Sequence, residues 1–117
     1  MKLLFLNGSR GEWGYIRPII DLCKKQGIDY GICATNMLLL PSHGMLVDEI
    51  RNDGYNVNDE IFMSLEGHNH FTLVKSLGVF LTSFIDTIRR EKPDWIVLAG
   101  DRGEMLMGAI AASYTYT

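Results

Sequence analysis

The stretch "DWIVLAGDRGEMLMGAIAA", residues 94–112, carries the fold in miniature. An apolar run from Trp95 to Ala99 breaks on Gly100-Asp101-Arg102-Gly103-Glu104 and then turns apolar again. The run is too short for a helix and has no alternating polar face, so it reads as a strand, residues 94–100, buried on both faces with Trp95 in the core. A helix opens at Glu104. Strand, polar loop and helix in that order make one half of a parallel βα unit.

The same grammar appears at the other end of the chain. "KLLFLN", residues 2–7, is a short apolar strand followed by the polar loop "NGSRGEWG", residues 7–14. From Tyr15 to Lys25, Ile16, Ile19, Ile20 and Cys23 recur at helical spacing, with Pro18 placed in the first turn. Gln26-Gly27 closes that helix, and "IDYGICA" predicts a second strand over 28–34. "TNMLLLPSHG" is a loop broken by Pro41 and Gly44. A short helix follows from Met45 to Arg51, then a turn at Asn52-Asp53-Gly54 and a weak strand around Glu60–Met63. The longest element runs from Phe71 to Arg90. Its apolar positions Phe71, Val74, Leu77, Phe80, Leu81, Phe84, Ile85 and Ile88 keep the helical period, and Arg89 and Arg90 suit its C-terminal dipole.

Helices alternating with buried strands predict an α/β fold, a Rossmann-like parallel sheet wrapped by helices. The chain of 117 residues is one domain or part of one, and 47% hydrophobic residues give it a core. A net charge of −3 supplies no electrostatic reason to bind nucleic acid or an anionic membrane. "LLFL" is too short for a secretion signal, and no stretch is read as approaching the ~20 apolar residues of a membrane span. The two cysteines, Cys23 and Cys33, sit among apolar residues and read as buried thiols, which fits the reducing cytoplasm.

In open parallel sheets, ligands bind beyond the carboxyl ends of the strands. Two polar loops occupy such ends, 7–14 and 100–104, and their strands are commonly neighbours. In the first loop, Gly8 lets the backbone approach a ligand, and Arg10 offers a forked cation to phosphate or carboxylate. The alternative is an ordinary βα turn with a surface arginine. In the second loop, Asp101 can cap the following helix, with Glu104 completing a capping box. It can equally act as acid or base beside Arg102. His43, His68 and His70 lack the companions of a metal set, so no metal is expected. "GHNHFT" reads as a turn with the helix starting at Asn69, and Trp13 as cover for the sheet's edge.

Taken together, "FLNGSRGEWGYIRPII" (5–20), "GICATNMLLLPSHGMLVDEIRNDGYNV" (31–57) and "KPDWIVLAGDRGEMLMGAIAA" (92–112) resemble the hydrolysing UDP-N-acetylglucosamine 2-epimerases, in the branch that feeds sialic-acid-type sugars. The resemblance covers essentially the whole chain. It implies a glycosyltransferase-B-type fold of two Rossmann-like domains with the active site between them. Residues 1–117 would be the N-terminal domain, incomplete and inactive alone. It further implies a cytoplasmic homo-oligomer that takes UDP-N-acetylglucosamine, eliminates UDP and adds water to give N-acetylmannosamine, with no metal or redox cofactor. On that pattern Asp101 is catalytic. Arg10 lies near the nucleotide diphosphate, and Gly8, Arg102 and Glu104 belong to the substrate-binding loops. The family commonly carries a histidine where this chain has Leu38, which implies altered substrate choice or weak activity. Two other readings are a different nucleotide, such as GDP-N-acetylglucosamine, and a non-catalytic module that self-associates through its last strand and helix.

Overall fold

The computed structural model describes residues 1–67 and 69–117. Strands β1 (Lys2–Asn7), β2 (Asp29–Thr35), β3 (Val57–Ile61) and β4 (Trp95–Val97) alternate with helices α1 (Arg10–Gln26), α2 (Leu46–Asn52), α3 (His70–Glu91) and α4 (Gly103–Tyr114). The sheet is parallel throughout, in the order β3-β2-β1-β4. Phe5 on β1 pairs with Ile32 on β2 and with Val97 on β4, so β1 lies at the centre.

The two-residue period of the strands divides the core into two layers. Phe5, Ile32 and Ala34 face one side, where Ile16, Ile20 and Cys23 of α1 and Val47 and Ile50 of α2 cover them. Leu4, Leu6 and Cys33 face the other, against Phe80, Phe84 and Ile88 of α3 and Met105 and Ala111 of α4. Phe80 and Phe84, one helical turn apart, stack with centroids 5.0 Å apart. Each such aromatic contributes about 1.5–3 kcal/mol by burial. Both thiols are buried and free, as expected, and burial pushes that of Cys33 far above its ordinary value.

Three expectations need correcting. Helix α1 starts at Arg10 rather than Tyr15, because Ser9 is an N-cap whose side chain accepts from the Glu12 amide. Gly11 and Gly14 are therefore helical, and Pro18 lies well inside the helix, with its missing hydrogen bond on the exposed outer face. The last strand is shorter than the apolar run, Trp95–Val97, and is not buried on both faces. β4 is an edge strand with β1 as its one neighbour, and Trp95 is 63% exposed. Finally, α3 is long and apolar enough to cross a membrane by length and composition, since only Lys75 and Asp86 bring charge between residues 70 and 88. Here one of its faces packs on the sheet instead.

The other boundaries shift by one to three residues. α3 begins with Asn69 as N-cap in a capping box with Thr72 and ends on Lys92 in the left-handed conformation. The strand expected around Glu60–Met63 forms slightly earlier, at Val57–Ile61.

Candidate functional site

The sheet order puts β1 beside β4, so the loops that follow them share one carboxyl edge. They interlock through two carboxylates. Glu12, in the first turn of α1, is 3% exposed, and its Oε1 accepts from the Gly8 amide at 2.8 Å. Its Oε2 is buried without a hydrogen-bond partner among the described residues and faces Gly100, where a Cβ would lie 3.4 Å away. Glu104, in the first turn of α4, is 1% exposed and reaches back the other way. A Cβ on Gly8 would lie 2.3 Å from Glu104 Oε1, so only glycine fits there without displacing that carboxylate. Each loop's glycine thus receives the other loop's carboxylate.

Glu104 is satisfied by its neighbours. Its Oε1 accepts from Arg102 Nε at 2.8 Å and from Asn36 Nδ2 at 3.3 Å. Asn36 Oδ1 in turn accepts from Ser64 Oγ at 3.1 Å, which draws the segments after β2 and β3 into the network. The Gly8 carbonyl accepts from the Met37 amide at 3.0 Å and ties the β1 loop to the β2 loop. Glu12 is less well served. Burial pushes its carboxyl above the usual range and Glu104 adds to that, while the amides of Gly8 and Ser9 and the Arg102 guanidinium oppose the rise.

The residues expected to share the site are arranged unevenly. Gly8, Arg102 and Glu104 converge at the interlock. Asp101 is exposed on the loop just before α4 and does not cap it; the N-cap is Arg102, with no side-chain cap bond among the described residues. Glu104 is accordingly the second helical residue, and its side chain bonds Arg102 and Asn36 rather than closing a capping box. Arg10 is exposed too, but its guanidinium turns toward α2 and meets Glu49 at 3.4 Å. There it borders an open recess of about 490 Å³ with Trp13, Arg17 and Asp53. Trp13 is buried and meets the Tyr55 ring edge-on, centroids 4.9 Å apart.

Leu38, in the slot where a histidine was expected, is 1% exposed and belongs to the core on the α1 side. A larger recess, about 610 Å³, opens beside Asn36 and is lined by Met37, Leu40, Met63, Leu65 and Leu73. His43 and His70 border it, and His68 lies outside the described residues. Among the described residues no three His, Cys, Asp or Glu side chains converge as a metal set would.

Glu12, Asn36 and Ser64 were not anticipated from sequence. Ser9-x-x-Glu12 has the form of a capping box and was the available signal for Glu12. Asn36 takes a positive φ of 52°, which asparagine tolerates better than most residues. No local pattern pointed to Ser64.

A central parallel sheet whose first and last strands carry two interlocked glycine loops at one carboxyl edge defines a Rossmann-like α/β domain. The chain belongs to the UDP-N-acetylglucosamine 2-epimerase family, whose model matches residues 21–116. It is 36% identical over 112 residues to the UDP-N,N'-diacetylbacillosamine 2-epimerase (hydrolyzing) of Legionella pneumophila, covering 95% of this chain and 30% of that protein. It is 31% identical over 116 residues to the UDP-N-acetylglucosamine 2-epimerase of Methanocaldococcus jannaschii, covering 97% of this chain and 29% of that one. The chain thus spans about 30% of the length of these curated relatives. The solved Methanocaldococcus jannaschii UDP-GlcNAc 2-epimerase superposes over 99% of this chain and 29% of its own, with a TM-score of 0.79 and 28% identity. The Neisseria meningitidis enzyme, solved bound to UDP-GlcNAc, matches in fold with a TM-score of 0.81 at 21% identity, over 99% of this chain and 30% of its own.

Proposed function

We propose that this chain forms one wall of the active site of a hydrolysing 2-epimerase that converts UDP-N-acetylglucosamine and water to N-acetylmannosamine and UDP. The observation that carries the reading is the adjacency of β1 and β4, which sets the Arg10 loop and the Asp101 loop on one edge. Membership of the epimerase family supports the reaction class. Residues 1–117 would then be the N-terminal domain of a two-domain, homo-oligomeric cytoplasmic enzyme, and the chain alone would be inactive.

In this scheme the proton on C2 is removed as the C1–O bond to UDP breaks, leaving a 2-acetamidoglucal. Water then adds across the double bond. Its hydroxyl goes to C1, and a proton reaches C2 from the opposite face, so C2 inverts. Asp101, exposed at the edge and free of helix capping, would exchange a proton with the sugar or orient it. Arg10 would leave its exposed pair with Glu49, worth about 1 kcal/mol or less, to meet the diphosphate. Arg102 is already aligned by Glu104 and presents its remaining N–H donors from a fixed base. No metal or redox group is called for in either step.

The test uses the polypeptide encoded by the gene that carries this chain. Incubated with UDP-N-acetylglucosamine and followed by proton NMR, it should release UDP and N-acetylmannosamine. Asp101→Asn should lower kcat by about 10²–10⁴-fold, the range for loss of one general acid or base. A folded protein without turnover, or an Asp101→Asn variant as active as the parent, would refute the assignment. A second reading keeps the fold and changes the sugar to a 2,4-diacetamido-2,4,6-trideoxyhexose or the base to guanine. It is favoured by the names of relatives from Legionella pneumophila and from Campylobacter jejuni, the latter a GDP/UDP-N,N'-diacetylbacillosamine 2-epimerase (hydrolyzing) at 28% identity. Comparing kcat/KM for these nucleotide sugars decides between the readings.

A further inference from the structure

We infer that Glu12 is a positioning residue for the reaction, holding the β1–α1 loop and the β4–α4 loop in register so that Arg10 and Asp101 face one substrate. The inference rests on the epimerase reading above for its kinetic consequence and on the interlock alone for its structural one.

Glu12 bonds one loop and faces the other. Its Oε1 takes the Gly8 amide at 2.8 Å, which fixes the backbone immediately before the Ser9 cap and Arg10. Its Oε2 stands against Gly100, which has φ of 94° and directly precedes Asp101. The clamp is reciprocal, because Glu104 fills the space over Gly8 from the opposite loop. A carboxyl is an expensive group to bury for a purely local cap, since burial of the charge costs far more than one hydrogen bond returns. A side chain that capped only its own helix would do so from the surface. This one instead lies in the seam between the two loops, and its second oxygen forms no bond among the described residues.

The charged groups acting on it come from the partner loop, the Glu104 carboxylate and the Arg102 guanidinium, and Glu104 pairs directly with Arg102. A single guanidinium therefore serves two carboxyls. Ionising Glu12 adds a second negative charge beside the Glu104 carboxylate, with the Arg102 guanidinium shared between the two. Gln keeps the length of the side chain and an acceptor oxygen for the Gly8 amide while removing the charge.

The experiment uses the gene's complete polypeptide with Glu12→Ala and Glu12→Gln, read two ways. Hydrogen–deuterium exchange should rise in both 4–14 and 98–106 for Glu12→Ala and remain at the parent level for Glu12→Gln. With UDP-N-acetylglucosamine, Glu12→Ala should lose at least about tenfold in kcat with KM within about threefold, the signature of lost orientation. Glu12→Gln should stay within about threefold of the parent. Should Glu12→Ala fail to fold, Glu12→Asp, one methylene shorter, meets the same two criteria. Unchanged exchange over 98–106 would overturn the inference, as would a Glu12→Ala kcat equal to the parent's or a Glu12→Gln no better than Glu12→Ala. A parent protein that releases no UDP would overturn the epimerase reading and the kinetic role with it, while the exchange result still decides whether Glu12 couples the loops.

Discussion

Within a folded chain, Glu12 and its solvent-exposed counterpart in the unfolded state hold a proton with different strength. Burial is the largest cause, the Glu104 charge adds to it, and the Gly8 amide and Arg102 offset part. The unfolded carboxyl titrates near its ordinary value of 4.5, and the folded one titrates higher. Below 4.5 both states are protonated, and Glu12 carries no electrostatic penalty. As pH rises through the folded pKa, the native state must accept a buried charge, and that share of stability is lost. Glu12→Gln has no such proton to lose. Its Tm relative to the parent should therefore hold steady at acid pH, climb as pH rises past 4.5, and level off above the folded pKa. Thermal melts by circular dichroism between about pH 4 and 8 check this; a gap that narrows with pH would contradict the assignment. At this same scale the sequence marked two polar loops as candidates but not which atoms meet. Arg10, Asp101, Arg102 and Glu104 could be named because polar residues between apolar runs stand out. That Arg10 turns to Glu49, that Asp101 leaves the cap to Arg102, and that Glu12 is buried all depend on neighbours from distant segments.

Among the elements, glycines separate local propensity from packing. Gly78 lies inside α3, and a Cβ there would meet nothing within 4 Å. Gly78→Ala should stabilise the protein by about 0.5–1 kcal/mol, through the helix propensity of alanine. Gly108 lies inside α4, where a Cβ would come within 2.9 Å of Leu6 Cδ2 and 3.0 Å of Leu98 Cδ2. Leu6 is fully buried on the inner strand β1, so giving way would disturb its packing in the core. Gly108→Ala should lose more to overpacking, about 1–3 kcal/mol, than it gains in propensity. Urea melts of the two variants should move in opposite directions, and a shared direction would mean that one of the two influences has been misjudged. The order of elements was legible because periodicity and length are local properties. The start of α1 was misplaced because Gly11 and Gly14 look like loop residues, whereas the Ser9 cap lets the helix run through them. Trp95 was misplaced for a different reason. An apolar strand reads alike at the centre and at the edge of a sheet, and only the order β3-β2-β1-β4 exposes it.

Across the whole molecule, the candidate residues form a rim and not an enclosure. Asp101 and Arg10 are exposed on one edge of a four-stranded sheet, and both recesses near that edge are open to solvent. Charge that develops when a nucleoside diphosphate departs is stabilised by fixed donors in a site from which water is excluded. An open rim leaves those donors competing with water at high dielectric, where each is worth a fraction of its buried strength. The chain spans about 30% of the length of its curated relatives, and on the two-domain reading proposed above a second domain would face this rim. The isolated 117-residue chain should therefore release UDP from UDP-N-acetylglucosamine at least about 10³-fold more slowly than the gene's complete polypeptide, the scale on which loss of a single preorganised donor is felt. Circular dichroism on the same sample separates an inactive folded domain from an unfolded one. Turnover by the folded chain alone, abolished in Asp101→Asn, would instead mean that the β1 and β4 loops contain the whole chemistry and that the remainder of such enzymes serves recognition.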